Sequence, residues 1–130
     1  MNSLSLVMLG ARGSTRTQLM EALKYKYNFD NFTTVHQTFR TFHEVMKNVD
    51  GDVILKHANR ALMNHDFQTS EEFKAAARKY YNASVEDVDF EEDGDKIVDD
   101  TNAWISKNTN KKIKNLIKHK FPKVFGSYPF

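Results

Sequence analysis

The side chains that could carry chemistry are few and scattered. Histidines stand at positions 36, 43, 57, 65 and 119, and cysteine is absent. That absence removes disulfides, Cys-based zinc sites and thiol nucleophiles together. His36 and His43 share one predicted helix two turns apart, about 10.5 Å along its axis, too far to hold one ion directly. His57 falls in a predicted strand and is read as a structural residue rather than a catalytic base. No glycine-rich phosphate loop, nucleophile elbow around a serine or triad spacing is present. Neither an enzyme nor a metal or cofactor site is expected.

Charge is segregated although the total is only +2. Residues 84–100 hold nine acids and one Lys, a local net of −8, and residues 107–123 hold seven Lys and no acid. Asp89, Glu91, Asp93, Asp95 and Asp100, with Gly94 at the sixth place, imitate a calcium loop. The twelfth position is Asp where that loop needs a bidentate Glu, and the flank before it alternates like a strand. An exposed acidic turn is the favoured reading. The Lys run could serve heparin, nucleic acid or an anionic membrane. Without interleaved stacking aromatics it is read instead as a solvated helix end, where Lys suits the helix dipole. Two sequons, Asn31-Phe-Thr33 and Asn82-Ala-Ser84, fall in predicted turns where an N-linked glycan could be accommodated.

The elements that must position these residues follow from periodicity and caps. Leu4 to Leu9 is the end of a helix, broken by Gly10-Ala-Arg-Gly13. Thr15 with Gln18 signals a second helix carrying Leu19 and Leu23. Thr34 with Gln37 signals a third, with Val35, Phe39, Phe42 and Met46 on its inner face. After a turn at Asp50-Gly51-Asp52, Val53 to Met63 predicts a strand covered on both faces. Thr69 with Glu72 caps a helix whose face is Phe73, Ala77 and Tyr80. Val85, Val88 and Phe90 mark a second strand, and a strand–helix–strand order predicts a right-handed crossover with parallel strands. Asp95 caps the last helix, with Ile97, Trp104, Ile105 and Leu116 as its buried stripe. At 130 residues, 40% hydrophobic and 12% aromatic, the chain suits one domain with a single core. No apolar run is long enough to cross a membrane, and no signal-peptide pattern opens the chain.

Three stretches carry a family resemblance: Leu9-Gly-Ala-Arg-Gly-Ser-Thr15, Leu55-Lys-His-Ala-Asn-Arg-Ala-Leu62 and Thr101-Asn-Ala-Trp-Ile-Ser-Lys-Asn-Thr-Asn-Lys-Lys-Ile-Lys-Asn-Leu-Ile117. In order and spacing they resemble the serpins, over roughly positions 4 to 118. The middle stretch resembles a strand with an Ala-Asn pair, and the last a helix that crosses the main sheet and ends in a Thr-Asn-Gly-Lys-Ile turn. The resemblance implies structural roles for Asn59, Asn102, Trp104, Thr109 and Asn110. Lys111 stands where the family usually has Gly. It implies an α+β fold: an incomplete serpin domain of about five helices and two strands of the main sheet over residues 1–118. Residues 119–130, with both prolines, form a tail that does not look serpin-like.

By the same resemblance the family traps serine proteases with a reactive loop near its C-terminus, and neither that loop nor the central strands is expected here. The reading is therefore a serpin-type serine protease inhibitor by family and a non-inhibitory fragment by content. A serine protease is the expected partner of a full-length parent only. The alternative is a non-inhibitory module that binds partners through an open sheet edge. Nucleic acid and membrane are not expected partners. The third helix offers only Arg40 and Lys47 with two His, so heparin is not supported either. The sequons suit an extracellular parent, with a cytoplasmic one as the alternative.

The open strand edge and uncovered apolar faces, Phe39, Phe42, Trp104 and Ile105 among them, make self-association the expected behaviour. Each large side chain left in water forfeits roughly 1.5–3 kcal/mol against a total stability of about 5–15 kcal/mol. Size-exclusion chromatography should show soluble oligomers that bind ANS and melt without a sharp transition. A monomer with a cooperative melt would favour the interaction module.

Overall fold

Residues 2–48 and 56–119 are described by a computed structural model. Their elements run α1 (Asn2–Gly10), α2 (Gly13–Ala22), a 3-10 turn at Tyr25–Tyr27, α3 (Phe32–Lys47), β1 (Asn59–Asn64), a second 3-10 turn at His65–Phe67, α4 (Glu71–Tyr81), β2 (Ala83–Val88) and α5 (Gly94–Asn108). β1 and β2 pair in parallel as a two-stranded sheet, giving the expected α+β set of five helices and two strands. The described residues form two compact units that divide between Ala61 and Leu62, Gln68 and Thr69, and Val85 and Glu86. The first holds α1 to α4 with the leading halves of both strands. The second holds the trailing halves, the second 3-10 turn and α5. No helix among the described residues is long and apolar enough to cross a membrane.

Both hydrophobic clusters belong to the first unit. Leu6 and Leu9 of α1 pack with Ala77 and Tyr81 of α4 and Ala83 of β2. Met8 of α1 packs with Tyr25 and with Val35 of α3. Phe32 and Phe39 lie against both clusters and join them across α3. Alternate sides of α1 therefore serve different neighbours, so Leu6, Met8 and Leu9 are all buried while Leu4 and Val7 stay exposed. Gly10 closes this helix against α4, where an added Cβ would stand 3.0 Å from the Phe73 ring.

Several helices start elsewhere than the sequence signals suggest. Asn31, not Thr34, caps α3: its Oδ1 accepts from Thr34 N at 3.0 Å and from Thr34 Oγ1 at 3.1 Å. Ser70, not Thr69, caps α4 by accepting from Phe73 N at 3.2 Å. α2 begins at Gly13 after Arg12 with no side-chain cap, so Thr15 lies inside its first turn. Asp93 precedes α5 without capping it, and Asp95 sits in the first turn, where a carboxylate suits the positive end of the dipole.

The buried faces also shift. On α3 the buried residues are Val35, His36 and His43, whereas Phe42 is 55% exposed. On α4 the largest fully buried side chain is Tyr81, one position beyond the expected Tyr80. α5 buries Ile97 and Thr101 and half-buries Trp104 and Ile105; it ends at Asn108, so Leu116 lies outside it and is exposed. β1 starts at Asn59, later than predicted, and all its residues are half-buried rather than covered on both faces. Phe90 follows β2 in a turn. Val53 to Leu55 and the Asp50-Gly51-Asp52 turn lie outside the described residues.

Because Asn31 supplies the cap, Asn31→Ala should cost about 0.5–2 kcal/mol in urea unfolding. Asn31→Asp should stay near wild type, since a carboxylate oxygen can accept the same Thr34 hydrogen bond.

Candidate functional site

Two of the five histidines are core residues, and one of them ends a buried chain of hydroxyls. Ser5 of α1, Tyr25 of the first 3-10 turn, His36 of α3 and Tyr81 of α4 are all buried. Ser5 Oγ and Tyr25 OH are 2.7 Å apart, Ser5 also bonds Tyr81, and Tyr81 OH meets His36 Nδ1. Burial pushes the Tyr81 phenol well above its ordinary value, so it stays protonated. Burial first, then the Arg16 guanidinium, lowers His36 to about 4, so its ring is neutral at pH 7. Each link of the chain shares one proton between its two partners, Tyr25 with Ser5, Ser5 with Tyr81, and Tyr81 with His36 Nδ1. His36 Nε2 is buried with no hydrogen-bond partner among the described residues. Phe32 packs edge-on to the ring at 4.3 Å between centroids, and Arg16 lies over Phe32 at 3.8 Å. A neutral, hydrogen-bonded His inside an aromatic cage is structural. No nucleophile, base and orienting group line up here for acyl transfer.

Asn59 and Asn102 both make main-chain hydrogen bonds. Asn59 Nδ2 donates to the Tyr81 carbonyl at 3.1 Å, which satisfies one of the last acceptors of α4 and ties the start of β1 to that helix. Asn82 follows as the C-cap in the left-handed region, φ 49°, with its N–H shared between Ala77 O and Arg78 O. Asn tolerates that conformation better than other non-glycine residues. Both sequon asparagines are thus exposed helix caps, Asn31 at the N-terminus of α3 and Asn82 at the C-terminus of α4.

Asn102 makes a two-bond closure in the second unit. Its Nδ2 donates to Ile117 O and its Oδ1 accepts from Ile117 N, both at 2.9 Å, so one amide side chain imitates a strand partner. The chain can return to Asn102 because α5 ends in a compact turn. Thr109 Oγ1 donates to Ile105 O at 2.8 Å and accepts from Ile113 N at 3.1 Å. Lys111 N donates to Ser106 O at 2.7 Å, and Lys112 N to Thr109 O at 3.0 Å. Asn110 and Lys111 are both left-handed, φ 52° and 61°. Two positive φ values under such a bond define a type I′ turn, which favours Asn-Gly. Asn110 fits the turn and Lys111 strains it. Trp104, half-buried, accepts through its carbonyl from Asn108 Nδ2 at 2.8 Å.

The acidic stretch is a turn. Asp89 Oδ1 accepts from Glu91 N at 2.9 Å and Glu92 N at 3.0 Å, and those backbone bonds, Glu92 first, hold its carboxyl below the ordinary range. Glu91, Glu92, Asp93 and Asp95 face solvent. Among the described residues no group of three or more His, Cys, Asp or Glu is placed to hold a metal.

The sequence reading missed Ser5, Tyr25 and Tyr81 because a hydroxyl relay across four elements has no local spacing. The signal present was a Ser inside an otherwise apolar helix stretch.

His36 takes up a proton less readily in the folded state than in the unfolded chain. Its contribution is therefore complete above pH 6.5 and lost as pH falls from there toward about 4. Urea midpoints should drop between pH 6.5 and 5, before most carboxylates titrate, and His36→Gln should flatten that part of the profile. Lys111→Gly should stabilise the fold by a few tenths to about 1 kcal/mol, and a loss in urea unfolding would contradict the strained turn.

Comparison with known proteins agrees with this arrangement. A family model described as Serpin (serine protease inhibitor) matches residues 1–124. Serpin B10 of Plecturocebus moloch is 28% identical over 88% of this chain and 34% of its own length. Leukocyte elastase inhibitor of Sus scrofa is 29% identical over 89% of this chain and 30% of its own. A solved structure of thyroxine-binding globulin in complex with thyroxine superposes with a TM-score of 0.74 at 18% identity, covering 89% of this chain and 31% of that one, which supports the fold alone. The chain thus spans about a third of the length of the curated relatives it matches. With the match running through both Asn-centred closures and the helices between them, this chain belongs to the serpin family.

Proposed function

We propose that these residues are scaffold of a serpin-type serine endopeptidase inhibitor and do not inhibit a protease on their own. The carrying observation is that the sheet here has two strands, β1 and β2, among the described residues. By the family resemblance, inhibition needs a cleaved reactive loop that inserts as a new strand between parting central strands. Full-length relatives with such an activity, the leukocyte elastase inhibitor by its name, are about three times as long as the matched part. A serine protease is then the partner of the complete domain.

A second reading has one observation in its favour. Each strand of a two-stranded sheet has an outer edge, and β1 is only half-buried along its whole length. Such an edge can accept a partner strand by main-chain hydrogen bonds, which is the non-inhibitory interaction module. Self-association through the same edge is part of the first reading. The exposed positions of Asn31 and Asn82 support an extracellular, glycosylated parent, with a cytoplasmic one as the alternative.

Incubation with trypsin-, chymotrypsin- and elastase-like enzymes should give digestion and no covalent, denaturant-resistant complex. A stable band at the summed mass would overturn the first reading.

A further inference from the structure

Most of the Lys run lies beyond the helix it was expected to end. α5 stops at Asn108, and Lys107 is the cation of its last turn. Lys111, Lys112 and Lys114 follow in the return loop, so the dipole of α5 accounts for Lys107 and not for them. That loop is held at both ends. Thr109 Oγ1 accepts from Ile113 N near its tip, and Asn102 clasps Ile117 at its base.

The surface it presents carries one sign of charge. Lys107, Lys111, Lys112 and Lys114 are all exposed, and none pairs with a carboxylate among the described residues. Lys107 and Lys111 line a shallow groove of about 510 Å³ with Ala103, Ser106 and Asn110. Lys118 is different, since it lines a separate groove with Asp95 and Asp99. The exposed carboxylates of Glu91, Glu92 and Asp93 precede α5, whose 15 residues make a helix about 22 Å long. That exceeds the screening length of about 8–10 Å, so an approaching anion senses the Lys end and not the small net charge of the chain. Two aliphatic side chains stand among the lysines, Ile113 at 43% and Leu116 at 61% exposure. Residues 107–118 hold no Arg and no aromatic ring. The loop therefore lacks the guanidinium fork of a dedicated phosphate site and the stacking platform of a nucleic-acid site. Ammonium groups beside aliphatic tips match instead a surface whose charge is diffuse and whose interior is apolar.

We infer that the loop from Lys107 to Leu116 docks on anionic lipid headgroups, with the four ammonium groups meeting phosphate and carboxylate oxygens and Ile113 and Leu116 entering the acyl boundary. The pinned turn presents these groups ready formed, so docking orders little new backbone. Electrostatics supply most of the attraction, which makes the contact reversible and weaker in salt.

Flotation of the full chain with vesicles tests this, using phosphatidylcholine alone and phosphatidylcholine mixed with phosphatidylserine. The chain should float with the mixed vesicles at low salt, less so at physiological salt, and stay behind with phosphatidylcholine alone. Lys112→Gln and Lys114→Gln should each weaken binding about fivefold, the fold-change of one Lys near an anionic surface. Lys24→Gln makes the same change in net charge on another element and should leave binding as in wild type. Leu116→Ser should lower binding at both salt concentrations. All four positions are exposed, so urea midpoints should match wild type and lost flotation reports the surface rather than the fold. Equal flotation with both vesicle types would overturn the docking, as would unchanged binding in the two loop Lys variants or equal losses in Lys24→Gln. So would capture by heparin, RNA or a second copy of the chain at a salt concentration where the mixed vesicles fail to bind.

Discussion

The first unit depends on a buried line of polar groups, Tyr25–Ser5–Tyr81–His36. Hydroxyls in an apolar interior are costly unless each finds a partner, and a partner must come from a specific element at a specific distance. Because the four residues sit on α1, the first 3-10 turn, α3 and α4, their pairing admits few alternative arrangements of those elements. The apolar clusters around Leu6, Met8 and Val35 supply most of the driving force, but they would tolerate sliding. The relay is what makes one packing of them unique. Its open end, the unpartnered Nε2 of His36, is also where the unit is most sensitive to protons.

The second unit reaches the same end by other means. Its described residues hold little fully buried apolar surface, Ile97 on α5 being the chief case. Order beyond α5 comes from backbone hydrogen bonds collected by Thr109 and by the Asn102 amide. An amide side chain can both donate and accept, so Asn102 satisfies both groups of Ile117 at once, which an ionised Asp, an acceptor only, could not do. In the first unit Asn59 performs half of that task on the Tyr81 carbonyl. Asn59 and Asn102 thus each join a strand or loop to a helix through main-chain hydrogen bonds.

Much of the local structure was legible. Leu4 to Leu9, the α3 and α4 periodicities and the last helix all announced themselves, because each is set by residues within one or two turns of each other, whereas the position of Lys111 stood out only by the family resemblance. The cap positions were less legible. Asn31 won over Thr34 and Ser70 over Thr69 because a cap is chosen by which oxygen meets a free N–H two or three residues on, and neighbouring Ser, Thr and Asn offer equivalent oxygens. Polarity misled the reading of α3: Phe42 was assigned inward and His43 was not, whereas a neutral imidazole packs well once a second ring covers it.

By itself, then, the sequence determined the family, through its resemblance, and the order of elements, since short-range periodicity and turn chemistry carry that information. Tertiary structure alone decided which polar groups were to be buried together. Ser5 and Tyr81 are 76 positions apart by number and His43 and His57 are 14 apart, so no periodicity relates them. The buried hydrogen bonds exist only after helices from distant stretches have excluded water from between them, which raises the value of each polar contact and keeps the His36 ring neutral at pH 7.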